Sequence, residues 1–246
     1  MKVRTDFICE LNKKKLWLRR EDLIKEKVKG NKFRKLKYNL IEAKKNNSRS
    51  ILTFGGAFSN HLYATALSGK INDIKTYGVV RGNEWKEKIN ESQTLINCVK
   101  YGMTLIFVSR EIFKKKNGKD FWKIIKLNPS KFYVIPEGGT NELALKGCLE
   151  MLSENDYVYD VICCPVGTGG TIAGLIKSSI TNQKVIGFSA LNNNNLKSEI
   201  DKYTDKKKWI LNDQYTFGGY AKSNLELIYF INNFKKKFNI QLDPIY

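Results

Sequence analysis

Short β-rich runs alternate with helical stretches along nearly the whole chain, and this alternation restricts the fold more than any other feature of the sequence. "SILTFGG" reads as a strand ending at Gly55-Gly56, and "SNHLYATALSGK" as the helix that follows it. "IKTYGVV" and "MTLIFVS" read as strands, with the helix "ESQTLINCVKYG" between them, closed by Gly102. "FWKIIKL" is helical, "KFYVIPEGG" is strand then loop, and "TNELALKGCLEML" is a helix capped by Thr140 or Asn141. "YDVICCPVGTGG" is again strand then loop, "TIAGLIKSSI" a helix and "KVIGFSAL" a strand. "SNLELIYFINNFKKKF" is a long helix begun by Ser223 or Asn224. Such alternation implies an α/β fold with a mainly parallel sheet. No repeat period and no Pro/Ser-rich linker breaks the pattern, so a second domain must be an insertion.

The glycines sharpen this reading. They pair at Gly55-Gly56, Gly138-Gly139, Gly169-Gly170 and Gly218-Gly219, and at least the first three pairs follow an expected strand. Open α/β sheets bind ligands outside the carboxyl ends of their strands. Glycine there permits a left-handed backbone and close approach to a ligand. Any one pair is ordinary turn chemistry, but three at strand ends point to a shared ligand site.

With 246 residues, 42% of them hydrophobic, the chain can bury a sizeable core in one or two domains. Lys and Arg number 43 against 24 Asp and Glu, a net charge of +19. A nucleic-acid-binding reading rests on that charge alone and predicts steep salt dependence. No helix-turn-helix, RNP or zinc pattern supports it. The lysines are spread over the chain in runs such as "KKNN" and "KKK", which reads as compositional bias. Five cysteines, an odd number without C-x-x-C spacing, and one histidine argue against a metal site and a disulfide framework. Cys163 and Cys164 lie in an apolar run and are expected as buried, reduced thiols. The N-terminus lacks a signal-peptide core, and no segment approaches the ~20 apolar residues of a membrane span. A cytoplasmic protein with no membrane partner is expected.

Three stretches carry chemistry. "VGTGGTIAG", Val166 to Gly174, joins a strand to a helix. It offers consecutive backbone N–H groups, the hydroxyls of Thr168 and Thr171 and the positive end of a helix, which together cradle an anion. It is neither a Walker A loop nor a dinucleotide fingerprint, whose third glycine would fall at Ile172. So it suggests a phosphate without suggesting NAD or ATP. In "VKGNKFRKLKYNL", Gly30-Asn31 is a turn, and Leu36, Leu40 and Ala43 share one face of the helix that follows. Lys32 then stands near the helix start, where helix polarity and the cations Arg34 and Lys35 disfavour its ammonium form. A lysine so placed is a nucleophile for an aldehyde; the alternative is a solvated basic helix face. In "GGAFSNHLYATA", Ser59, Asn60 and His61 are adjacent and therefore cannot stack as a catalytic triad. Asn60 could instead bond a ligand oxygen and Ser59 a carboxylate. His61 is either a base or a hydrogen-bonded structural residue.

"GNKFRKLKY", "GGAFSNH", "IPEGGTNELALKG", "PVGTGGTIAGL", "FGGYAKSN" and "LDPIY" occur here in the order seen in the D-cysteine desulfhydrase and 1-aminocyclopropane-1-carboxylate deaminase family, which this chain resembles over nearly its whole length. The resemblance implies a pyridoxal 5'-phosphate enzyme of fold type II, tryptophan-synthase-β-like, with two open twisted α/β/α domains and the cofactor in the cleft. It implies a large domain made of 1–49 and 136–246 with a small α/β domain, 50–135, inserted. It also implies roles. Lys32 matches the lysine of the internal aldimine, and Asn60 the asparagine bonded to the cofactor's 3-hydroxyl. Ser59 matches a serine beside the substrate carboxylate. Gly167, Thr168, Gly169, Gly170 and Thr171 match the phosphate loop, and Tyr220 and Tyr246 two active-site tyrosines. Lys32, once released, is the usual proton carrier. Relatives of this kind are homodimers.

Two departures stand out. The family continues past "DPxY" with a Thr or Glu that contacts the pyridine nitrogen, then Gly-Lys and a helix, whereas this sequence stops at Tyr246. A truncated form lacking that partner, with exposed apolar surface, is therefore expected. "SNHLYATA" also lacks the Arg-Gln that commonly follows Ser-Asn-His in the family. The loop "GTGGT" and the triplet "SNH" favour D-cysteine desulfhydrase over 1-aminocyclopropane-1-carboxylate deaminase. The third reading is a weakly active or inactive relative that still holds the cofactor.

Overall fold

The computed structural model describes residues 1, 3–204 and 209–245. In chain order its first half contains β1 (Thr5–Leu11), β2 (Lys14–Arg19), α1 (Gly30–Lys45), β3 (Ser50–Gly56), α2 (Asn60–Asn72), β4 (Lys75–Arg81), α3 (Gln93–Lys100) and β5 (Met103–Val108). Then come α4 (Arg110–Lys114), α5 (Lys119–Ile124), β6 (Tyr133–Val134), α6 (Glu142–Leu149), β7 (Val161–Val166) and α7 (Gly170–Ser178). The rest comprises β8 (Lys184–Ser189), α8 (Leu196–Asp201), β9 (Trp209–Asn212) and α9 (Leu225–Phe238). The chain divides into two compact units, Met1–Asn31 with Leu152–Tyr246, and Lys32–Met151. The insertion expected at 50–135 falls inside the second of these.

The second unit is built on a parallel sheet of order β5-β4-β3-β6. β3 is a near-continuous apolar run with Ile51, Leu52 and Phe54 buried, as a central parallel strand covered on both faces requires. Leu62, Ala66, Leu95, Cys98 and Met103 pack against one face with Val80. Phe54, Val79, Phe113 and Phe121 form the core on the other. The unit is thus a three-layer α/β/α sandwich. Its helices begin where their caps dictate: Ser59 accepts from the Leu62 N–H, Ser92 from Leu95 and Asn141 from Ala144. Because parallel strands need a return helix, α1 and α2 run antiparallel to β3. The carboxyl end of β3 meets the start of α2, and the start of α1 lies at that same end of the sheet.

α1 and α6 pack closely. A Cβ at Gly147 would stand 1.9 Å from the Arg34 carbonyl oxygen, so only glycine lets the two backbones approach. Buried Arg34 donates to the Glu150 carbonyl at 3.3 Å, and Lys37 donates to the Glu150 carboxylate at 2.7 Å. Burial raises the pKa of Glu150, but Lys37, Tyr38 and Arg34 outweigh it and hold the carboxyl below the usual range.

The first unit contains a β1–β2 hairpin and a parallel sheet of order β7-β8-β9. α7 lies flat on that sheet: a Cβ at Gly187 would meet Ile172 Cδ1 at 2.4 Å and Val166 Cγ2 at 2.7 Å. α9 has no buried residue, and its Leu225 is 86% exposed. The cysteine expectation fails in this unit. The five cysteines form no disulfide among the described residues, but Cys163 is exposed, because Val161, Cys163 and Pro165 lie on the sheet face opposite α7, where Ile210 is exposed too.

Candidate active site

In the second unit, Lys32 sits half-buried in the first turn of α1, and its Nζ donates to the Gly138 carbonyl at 3.4 Å. Lys35, one turn on and 2% exposed, donates to the same carbonyl at 2.9 Å and bonds Thr140 Oγ1 at 3.0 Å. Gly138 and Gly139 make the turn after β6 with φ of +66° and +72°. Both lysines thus converge on one backbone oxygen at the carboxyl end of the sheet. Of the two cations expected to disfavour a charge on Lys32, only Lys35 reaches this oxygen; Arg34 turns to Glu150. The signal for Lys35 was its i+3 spacing from Lys32, which puts both on one helix face.

Ser59 and Asn60 lie at the carboxyl end of β3, beside β6 in the sheet. Ser59 is buried and its Oγ accepts the Leu62 N–H, leaving its own proton free to donate. Asn60 opens α2 and is half-buried. A Cβ at Gly55 would meet Ser59 Oγ at 2.6 Å, which explains a glycine in the middle of an apolar strand. His61 is buried, and its Nε2 lies 2.8 Å from Thr53 Oγ1. Burial, with the charges of Lys32 and Lys35, pushes its pKa well below the usual histidine value. It is therefore a neutral ring near pH 7.

In the first unit, the loop after β7 runs through Gly167 and Thr168, both half-buried, to Gly169 at φ +83°. Gly169 is the N-cap of α7 and no side chain caps that helix. A Cβ at Gly169 would strike Ile200 Cγ1 at 2.6 Å. Gly170 and Thr171 form the first turn, and Asn31 Nδ2 donates to Thr171 Oγ1 at 2.8 Å. Because β7, β8 and β9 are parallel, the turn that carries half-buried Tyr220 lies at this same end of the sheet. That turn is held by Asn192 Nδ2, which donates to the Gly218 carbonyl at 3.4 Å. Tyr246 lies outside the described residues.

Each unit, taken by itself, carries a set of polar groups suited to a ligand. A glycine-lined turn and an uncapped helix start suit a phosphate. An amine fixed by a carbonyl, near an amide and a hydroxyl, suits an aldehyde with neighbouring polar oxygens. These donors fit pyridoxal phosphate.

Comparison with known proteins agrees. The family profile described as pyridoxal-phosphate dependent enzyme matches residues 3–216. A Thermotoga maritima protein carrying the 1-aminocyclopropane-1-carboxylate deaminase name is 31% identical, over 94% of this chain and 80% of its own length. The bifunctional D-cysteine desulfhydrase/1-aminocyclopropane-1-carboxylate deaminase of Arabidopsis thaliana is 27% identical, over 96% of this chain and 65% of its own. A crystal structure described as an ACC deaminase homologue superposes with a TM-score of 0.77 at 26% identity, covering 94% of this chain and 76% of that one.

Proposed function

This chain belongs to the pyridoxal-phosphate-dependent enzyme family, and on that premise we propose that it is a D-cysteine desulfhydrase, releasing pyruvate, ammonia and sulfide from D-cysteine and water. Its fold is the fold type II, tryptophan-synthase-β-like architecture, and its cofactor is pyridoxal phosphate. The coarser activity, that of a lyase or deaminase resembling 1-aminocyclopropane-1-carboxylate deaminase, is common to the relatives.

The observation that best supports the site assignment is the Lys32 amine, held by the Gly138 carbonyl beside Ser59 and Asn60 at the carboxyl end of a parallel sheet. When bound, the cofactor supplies an electron sink for charge at the substrate Cα. Lys32 is the amine that would hold the cofactor's aldehyde, and its nitrogen is the base that would move the proton at the substrate Cα. Asn60 holds the ring oxygen next to the aldehyde. Ser59 donates its unused proton to the substrate carboxylate. Gly167, Thr168, Gly169, Gly170 and Thr171 hold the phosphate through backbone N–H groups and two hydroxyls, with no lysine needed. Tyr220 faces the substrate, and Tyr246 is proposed alongside it.

The finer choice, D-cysteine over 1-aminocyclopropane-1-carboxylate, draws on the "GTGGT" and "SNH" stretches. Incubating the protein with each substrate separates the two, since the first yields pyruvate and the second 2-oxobutanoate. Faster pyruvate release from D-cysteine supports the proposal, and faster 2-oxobutanoate release replaces it with the deaminase. Neither product would leave a cofactor-holding relative without turnover. We propose further that the protein is cytoplasmic and homodimeric, the latter testable by light scattering. Among the described residues no helix is long and apolar enough to cross a membrane.

A further inference from the structure

The Gly138–Gly139 turn is clamped from two sides. From α1, Lys35 holds the Gly138 carbonyl at 2.9 Å and Thr140 Oγ1 at 3.0 Å. From α2, the His61 ring lies beneath Gly139, where a Cβ would stand 2.8 Å from Cε1 and 3.1 Å from Nδ1. Lys32 donates to the same Gly138 carbonyl at 3.4 Å. We propose that Lys35 and His61 are positioning residues that fix this turn and, through the Gly138 carbonyl, the amine of Lys32. The inference rests on Lys32 being the amine that carries the cofactor.

The hydrogen bonds settle which way the ring is protonated. Thr53 Oγ1 donates its single proton to the Ile135 carbonyl at 2.8 Å, so toward His61 it can only accept. Nε2 therefore carries the imidazole proton and Nδ1 is a bare acceptor. That Nδ1 is buried with no hydrogen-bond partner among the described residues, and it points at the turn. The chain His61–Thr53–Ile135 ties α2 to β3 and to the backbone entering the turn, which locks the ring in place. A leucine of similar bulk could fill the space but could not hold its orientation.

Lys35 adds charge to geometry. A lysine 2% exposed is expensive to bury and is tolerated here because fixed oxygens receive it. Its charge stands next to Lys32 and disfavours a second ammonium on the shared carbonyl. Around the Lys32 amine stand Lys35 on α1 and the neutral His61 on α2. The nearby carboxylate of Glu137, which opens the turn, is engaged by Lys116 at 3.0 Å. Lys35 thus favours the unprotonated form of Lys32, and His61 keeps the amine aimed.

Reductive methylation of the full chain stripped of cofactor tests this, because only unprotonated amines react and mass spectrometry reads each lysine separately. Near pH 8, Lys32 in Lys35→Met should label about tenfold more slowly than in the wild type, one unit of pH converted to rate. Lys35→Arg should recover most of that loss. His61→Leu should slow Lys32 about threefold, while His61→Gln, which keeps an acceptor and no charge, should stay within about twofold of wild type. Circular dichroism on the same samples confirms folding. An unchanged Lys32 rate in folded Lys35→Met overturns the inference, and if that variant does not fold, an unchanged rate in His61→Leu does so. Loss of the premise looks different: wild-type protein reduced with borohydride in the presence of pyridoxal phosphate would then leave Lys32 unmodified.

Discussion

The two units prepare for a ligand by different means. In the unit from Lys32 to Met151, the candidate groups are side chains, each held by a hydrogen bond: Lys32 and Lys35 by the Gly138 carbonyl, Ser59 by the Leu62 N–H, His61 by Thr53. In the other unit the candidate group is backbone, a loop whose shape depends on Gly169 at φ +83° and on an uncapped α7. Side chains can tune a proton; amides can only hold a charge. The comparison teaches that substitutions of polar groups should hurt the amine site, whereas the phosphate loop should feel mainly what alters its backbone.

The largest expected effect is Lys32→Ala, which should lower turnover at least about a thousandfold and abolish covalent cofactor attachment, read by steady-state kinetics and absorbance. Gly169→Val comes next. It forces a branched side chain into a left-handed conformation and into Ile200, costing about 2 kcal/mol in urea unfolding, and should weaken cofactor binding about thirtyfold. Thr168→Val, in the same loop, removes only a hydroxyl and should cost less than about 1 kcal/mol of cofactor affinity. If Thr168→Val matched Gly169→Val, the contrast between a backbone site and a side-chain site would break.

His61 sharpens the contrast through pH. Its folded pKa is depressed, so on acidification the unfolded chain takes up a proton near pH 6.5 that the folded chain refuses. Its contribution is present above that pH and lost as pH falls toward the folded value. Wild type should therefore lose about 1 kcal/mol more than His61→Gln between pH 7 and pH 5.5 in urea titrations. Ser59→Ala is the smallest expected change, about 1 kcal/mol of helix stability from the lost cap, together with a raised KM for substrate.

Much of this was legible in the sequence. β3 spans the residues of "SILTFGG", and the alternatives left for two caps resolve to Asn141 and Asn224. The strongly periodic and apolar stretches were the ones read well. The β1–β2 hairpin was not, because its turn is Asn12-Lys13, with φ of +50° and +61°, and a lysine in that second position carries no turn signal. β6, Tyr133–Val134, falls within "KFYVIPEGG", the stretch read as strand then loop. Cys163 and Cys164 misled because an apolar run was read as a strand buried on both faces, while the face of β7 that carries Cys163 is open. At the site, motif order marked Lys32, Ser59 and Asn60. The clamp of Lys35 and His61 on Gly138-Gly139 depends on a contact over a hundred residues apart in the chain, which no local pattern encodes.

The most direct measurement reduces the purified protein with borohydride in the presence of pyridoxal phosphate and maps the modified peptide by mass spectrometry. The account predicts one dominant adduct, on Lys32, at about one per chain. Label scattered over the exposed lysines, with Lys32 no richer than its neighbours, would contradict it.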